Sequence, residues 1–367
     1  MKLKRLVAVS TALAAVVAGG VVASAANAEV VSNSYVLVGS DTLQDASNAL
    51  ANGTRVTGSL VRVKANNETI GSFDAFPSSG VGSQIQTKPG GARFLRPSGS
   101  GNGVNALIAS INTSGSAKWN NVDITGQVDI ARSSSAPKSA DVDATNGKLA
   151  YIPFGRDAVS YIYTGGTAAW ANLSAAELKQ IFEGTLTTVD GVAITPRLPQ
   201  SGSGTRSFFL SAIGVTTPAA SIDVNNTTAE NDASVLGANQ IIPFSVASWT
   251  AQSTGSAPTT LNGTSVVLGT PISGVAPVTG AGTATVPNSA FYSTAFGRDT
   301  YLVVERARIT PSNPKYDAGL AALVDPTKAA SLTNFTASAA STPAAVKKKF
   351  GFLAPSTTAP TYAYPAA

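Results

Sequence analysis

The sequence predicts an α/β protein, and three observations carry that reading. Short apolar runs of strand character alternate with helical segments, and three strand-to-helix junctions are built on Gly with Ser or Thr. Two long apolar runs, Tyr151 to Tyr163 and Ile241 to Trp249, have the length of strands that cross between lobes.

In chain order, Lys2, Lys4 and Arg5 precede an apolar run from Leu6 to Val22, closed by Ala26-Asn27-Ala28. That is an A-x-A cleavage pattern, so residues 1–28 are expected to be an export signal and Glu29 the first mature residue. Gly19 and Gly20 interrupt an apolar run already short of the roughly 20 residues a bilayer span needs. Ser34 to Gly39 reads as a strand, and Leu43 to Leu50 as a helix capped by Asp41 or Thr42. Gly103 to Ile111 is a second helix, and Val128 to Ala131 a short strand running into Arg132-Ser133-Ser134-Ser135. Ser174-Ala175-Ala176-Glu177 is a capping box that opens a helix through Phe182. Thr205 to Ile213 is the last clear helix of the middle region. Asn67 to Gly91 and Ala251 to Pro287, rich in Gly, Ser, Thr and Pro, read as surface insertions of low regularity. No internal repeat is apparent, and the tail beyond Pro355 has a disordered composition.

Composition narrows the chemistry. There is no cysteine, so no disulfide can form and no lipid can be attached through a cysteine after the signal. There is no histidine either, which excludes a Ser/His/Asp triad, and the lack of both removes the usual zinc sites. No cluster of carboxylates suited to a metal stands out, so neither cofactor nor metal is expected and the chain reads as a non-enzyme. Three of the 25 Lys and Arg lie in the signal, leaving 22 against 20 acidic residues. That balance argues against a nucleic-acid partner. Lys347 to Lys349 reads as a solvated helix terminus, Trp119, Trp170 and Trp249 as core residues, and Asp157 as the ion-pair partner of Arg156.

The polar work falls to three loops of one design: Gly39-Ser40-Asp41-Thr42, Gly99-Ser100-Gly101-Asn102-Gly103 and Gly202-Ser203-Gly204-Thr205. Each precedes a helix. A helix N-terminus exposes unpaired N–H groups and the positive end of the dipole, glycine lets backbone approach a ligand, and hydroxyls add donors. Arg96 precedes the second loop, Arg197 and Arg206 flank the third, and Arg132 stands where a strand turns into the triple serine. Arginine offers a planar fork of donors suited to an oxyanion.

On these motifs the sequence resembles the phosphate-binding, PstS-type periplasmic proteins of ABC uptake systems, among the type II substrate-binding proteins. The resemblance runs in order through VGSDT, SGSGNGVNALI, DIARSSSAP, IPFGRDAVSYIYT, LSAAELKQIFEGTLT and SGSGTRSFF. It implies a two-lobed periplasmic-binding-protein type II fold, each lobe a mixed sheet flanked by helices, with a ligand cleft between the lobes. The expected lobes are 29–157 with 245–367, and 158–244. Thr42, followed by Leu43, matches the family's anion-binding threonine, Ser100 the serine of the second loop, and Ser203, Gly204 and Thr205 its Ser-Gly-Thr. With Ser40, Asp41, Gly101, Arg132, Ser135, Arg197 and Arg206 these form the expected phosphate site. Ser135 stands where the family has an aspartate that accepts the proton of phosphate, a role that could pass to Asp41. Pro199 stands near the family's arginine, for which Arg197, Arg206, Arg132 and Arg156 are candidates. The function implied is capture of phosphate or a similar oxyanion by an exported monomer, periplasmic or secreted, that docks on an ABC permease. A secreted scavenger, sensor or matrix protein without a permease is the alternative, and a phosphate-ester hydrolase a further one.

Overall fold

The computed structural model describes residues 31–77, 83–222, 228–261 and 265–364. The export signal expected over 1–28 lies outside the described residues.

The architecture is mixed α/β, and its longer elements can be given in chain order, leaving two-residue hairpins and isolated turns unlabelled. They are β1 (Val36–Gly39), α1 (Gln44–Asn52), β2 (Gly71–Ser72), α2 (Ser100–Ile111) and β3 (Ile130–Ser133). Next come β4 (Leu149–Thr164), α3 (Ala175–Glu183), β5 (Thr195–Pro196), α4 (Gly204–Ala212), β6 (Gln240–Ser245) and α5 (Val246–Ser253). The chain closes with β7 (Val266–Leu268), β8 (Gly297–Glu305), α6 (Pro343–Lys349) and β9 (Thr361–Ala363).

The strands form one nine-stranded mixed sheet in the order β5-β6-β4-β8-β3-β1-β2, with β7 and β9 also on β4. β1 runs parallel to β2 and β3, and β5 parallel to β6. β8 is antiparallel to both β3 and β4. The 16-residue β4 is buried almost throughout and joins two cores. Its first half, through Ala150, Ile152 and Phe154, packs with Leu37, Leu50, Leu302 and Phe352. Its second half, through Val159, Tyr161 and Tyr163, packs with Trp170, Phe182, Phe209 and Phe296. A strand buried on both faces reads as a continuous apolar run, which is why β4 was visible in the sequence. The capping box forms as expected, with the Ser174 side chain accepting from Glu177 N–H and Glu177 returning the bond.

Several expectations are corrected. The run to Trp249 is not one strand: it ends at Ser245, whose side chain accepts from Ser248 N–H and caps α5. The tail is ordered over its described residues, since Thr361, Tyr362 and Ala363 pair with Tyr151, Ala150 and Leu149. Lys347 is not solvated: it is fully buried, donates to the Phe154 carbonyl at 2.6 Å and lies over the Phe154 and Phe335 rings. A local repeat exists, Phe-Gly-Arg-Asp at 154–157 on β4 and at 296–299 entering β8. The two copies are antiparallel neighbours, with Arg298 opposite Asp157 and Asp299 opposite Arg156. Consecutive strand residues point to opposite faces, so Asp157 pairs across the sheet with Arg298 and not with Arg156. Arg156 pairs with Asp299 instead.

Candidate functional site

Two of the three expected loops meet at one point. β1 ends at Gly39, whose φ of +109° places its α-hydrogen against the β3 backbone, where a Cβ would come within 2.6 Å of the Arg132 carbonyl. Only glycine lets the strand turn there, and the turn carries Ser40, Asp41 and Thr42 inward, each at most 4% exposed. From the other side Ser203 caps α4, its side chain accepting from Arg206 N–H, so that Gly204 and Thr205 form the first turn. Thr42 and Thr205 come hydroxyl to hydroxyl at 3.2 Å.

Between the loops lies the carboxylate of Glu230, 1% exposed, a residue the sequence did not single out. One oxygen, Oε1, accepts from the Ser40 hydroxyl at 2.9 Å, the Thr42 hydroxyl at 2.9 Å and the Thr42 N–H at 3.3 Å. The other, Oε2, accepts from the Ser203 hydroxyl and from the Thr205 N–H at 3.3 Å. Each loop therefore serves one oxygen. The backbone N–H of Glu230 donates to Asp41 Oδ2 at 2.7 Å.

Arg298 supplies the positive charge. Its Nη2 donates to Thr205 Oγ1 at 2.8 Å, Thr42 Oγ1 at 3.3 Å and Asp157 Oδ2 at 2.9 Å. Asp157 also accepts from the Ser245 hydroxyl and Ala247 N–H, so the arginine is held by a carboxylate that is itself fixed. Burial pushes Glu230 toward its neutral form. Hydrogen bonds from Asp41, Ser203 and Thr42, with the nearby Arg298, more than offset this and lower its pKa to about 2. Burial, then the neighbouring Glu230 charge, push Asp41 well above the usual carboxylate range. The pair thus favours the charge on Glu230 and the proton on Asp41. The site can hold one compact oxyanion by donors from two helix starts, with one carboxyl group beside it able to carry a proton.

A family model described as the PBP superfamily domain matches residues 83–325, more than half of the chain. The chain belongs to the PBP superfamily. No curated protein matches the sequence. By structure this PBP-superfamily chain is similar to an ABC-type phosphate transport receptor from Vibrio cholerae, with 14% identity and a TM-score of 0.49 over 88% of this chain and 100% of that one. It is similar also to a high affinity periplasmic phosphate-binding protein bound with phosphate, with 14% identity and a TM-score of 0.48 over 88% and 90%. A third is a putative phosphate ABC transporter substrate-binding protein with bound phosphate from Clostridium perfringens, with 16% identity and a TM-score of 0.45 over 76% and 89%.

The remaining expected site residues are placed as follows. Ser100 packs beside the third loop: a Cβ on Gly204 would meet Ser100 Oγ and Ser134 Oγ at 2.5 Å, and these two hydroxyls lie 3.1 Å apart. Gly101 N–H donates to the Gly202 carbonyl at 3.0 Å and ties the second loop to the third. Leu43 is buried in the first core. Ser135 bonds through its backbone to the Ser133 hydroxyl, and Ser134 is the serine that turns toward Ser100. Arg132, fully buried, donates to the carbonyls of Ser40 and Phe73 and to the Ser72 hydroxyl, bracing the first loop from behind. Arg197 donates to the Val235 carbonyl and the Thr228 hydroxyl, Arg206 to the Pro199 carbonyl, and Arg96 to the Asp74 carbonyl. Arg156 reaches the Tyr292 carbonyl and Asp299. The arginine at the loops is Arg298, and the recurrence of Phe-Gly-Arg-Asp was the signal that could have found it. Nothing in the local pattern around Glu230 distinguishes it.

Proposed function

We propose that the chain is an exported solute-binding protein that captures inorganic phosphate, or a similar oxyanion, between two lobes for ABC-type uptake. The observation that carries this is the convergence of five donors from Ser40, Thr42, Ser203 and Thr205 on one carboxylate, with Arg298 behind them. Such a set recognises charge and oxygen geometry, and nothing in it cleaves a bond, so the protein binds and does not catalyse. The two cores support two lobes joined through the paired strands β4 and β8, with residues 158–222 and 291–296 largely in the second lobe. The mature protein works as a free monomer in the periplasm or outside the cell and presents its closed form to a permease.

Asp41 stands beside the site as a carboxyl group held toward its protonated form by burial, so it can donate to an oxygen of phosphate or of sulfate and its charge repels neither. The test is calorimetric titration of the chain from Glu29 onward with phosphate and with sulfate. One-to-one phosphate binding without sulfate competition supports the reading, and binding of neither anion sinks it.

A further inference from the structure

We infer that Glu230 is a tethered occupant of the oxyanion site, so that phosphate enters only by displacing this carboxylate and Glu230 sets the affinity of capture. This rests on the phosphate reading above.

Three observations carry it. The carboxylate bridges the loops as a bound anion would, with one oxygen on the β1 loop and the other on the start of α4. It arrives on a segment that is itself anchored: the Thr228 carbonyl accepts from Gln200 N–H, the Asn231 carbonyl from Gln252 Nε2, and Ala233 N–H donates to Thr260 Oγ1. The side chain is therefore presented to the loops by fixed backbone, at the high effective concentration of a short tether. Finally, the carboxylate leaves the site incompletely satisfied. Arg298 Nη1 is a donor buried with no hydrogen-bond partner among the described residues. A carboxylate has two oxygens and no further group to offer, whereas hydrogen phosphate has four oxygens and a proton. It can replace both bridging oxygens and add one to the arginine.

The exchange is reversible displacement with no covalent step. The apparent dissociation constant of phosphate is raised in proportion to the fraction of molecules in which Glu230 fills the site. Removing the carboxylate removes the competitor. Glu230→Ala clears the space, while Glu230→Gln keeps the volume but presents an amide to a ring of donors.

The experiment is calorimetric titration of the wild-type mature chain, Glu230→Ala and Glu230→Gln with inorganic phosphate, each first checked for fold by circular dichroism. Both variants are expected to bind phosphate about tenfold or more tightly than wild type. Equal affinities in all three, or weaker binding in the variants, overturns the inference and leaves the phosphate reading standing. Binding in none of the three overturns the reading and the inference together. Should neither variant fold, hydrogen exchange of the wild type decides: peptides covering 228–232 exchange faster with saturating phosphate if Glu230 is displaced, and unchanged or slower exchange overturns the inference.

Discussion

Thr42 and Thr205, 163 residues apart in the chain, share one guanidinium nitrogen: Nη2 of Arg298 donates to both hydroxyls. The Thr42 hydroxyl accepts from the arginine and turns its proton to Glu230, and its second lone pair can accept from the Thr205 hydroxyl. The arginine thus orients the hydroxyls as donors toward the site, beyond supplying charge.

If those donors are what holds an anion, removing one should weaken capture. Ser203→Ala is expected to cost roughly 1.5–3 kcal/mol of phosphate binding, the range for a hydrogen bond to a charged group, and Thr205→Ala, which keeps its N–H and loses only the hydroxyl that meets Arg298 and Thr42, to cost less. The measurement belongs in the Glu230→Ala background, because in the wild type the same substitution also weakens the competitor. Unchanged affinity in both would reduce this loop to a helix cap.

Arg298 and Asp157 are 4% and 0% exposed and make an ion pair at 2.9 Å. Asp157→Ala leaves the guanidinium buried without its carboxylate and removes the acceptor for Ser245 and Ala247. We expect a loss of about 3–5 kcal/mol in urea unfolding. A loss below about 1 kcal/mol, the ceiling usual for exposed pairs, would mean water reaches the pair.

Gly204 is a point of close packing between the second and third loops. A Cβ there would meet Ser100 Oγ and Ser134 Oγ at 2.5 Å, with no positive φ to accommodate. Gly204→Ala should therefore force the loops apart, costing about 1–3 kcal/mol as overpacking does. Its signature is a chain that remains folded by circular dichroism yet binds phosphate more weakly than the parent, and retained affinity would count against this packing.

Burial lowers the pKa of Lys347 well below its ordinary 10.5. Between its folded pKa and 10.5 the unfolded chain binds the extra proton, so this residue makes the fold less stable at neutral pH and the penalty fades as pH rises toward 10.5. Lys347→Met, which keeps the length of the side chain without the charge, is expected to be more stable than wild type at pH 7. Denaturation at a series of pH values should show the advantage narrowing toward pH 10. A constant or widening gap would contradict the assignment.

Much of this was legible beforehand because it is local. The capping box at Ser174 and Glu177, the apolar run of β4 and the Gly-Ser loops before α1, α2 and α4 are each written within a few residues, where periodicity and turn chemistry act. The ordered tail and the central strand β8 were harder. The tail is polar in composition and is ordered by pairing with β4, and β8 follows a stretch rich in Gly, Ser, Thr and Pro that masks its start.

By itself the sequence determined an α/β chain without cysteine or histidine, and it located three loops, two of which converge on one point. What occupies that point was decided only by tertiary structure. Arg132, Arg197 and Arg206 adjoin the loops in sequence yet serve carbonyls and hydroxyls behind them, while Arg298 reaches the site because antiparallel register sets it across from Asp157. Glu230, 188 residues from Thr42, is brought there by the packing of a whole segment. Residue type says which groups can hold an anion. Which of them do so depends on register and long-range packing, and these are properties of the assembled sheet.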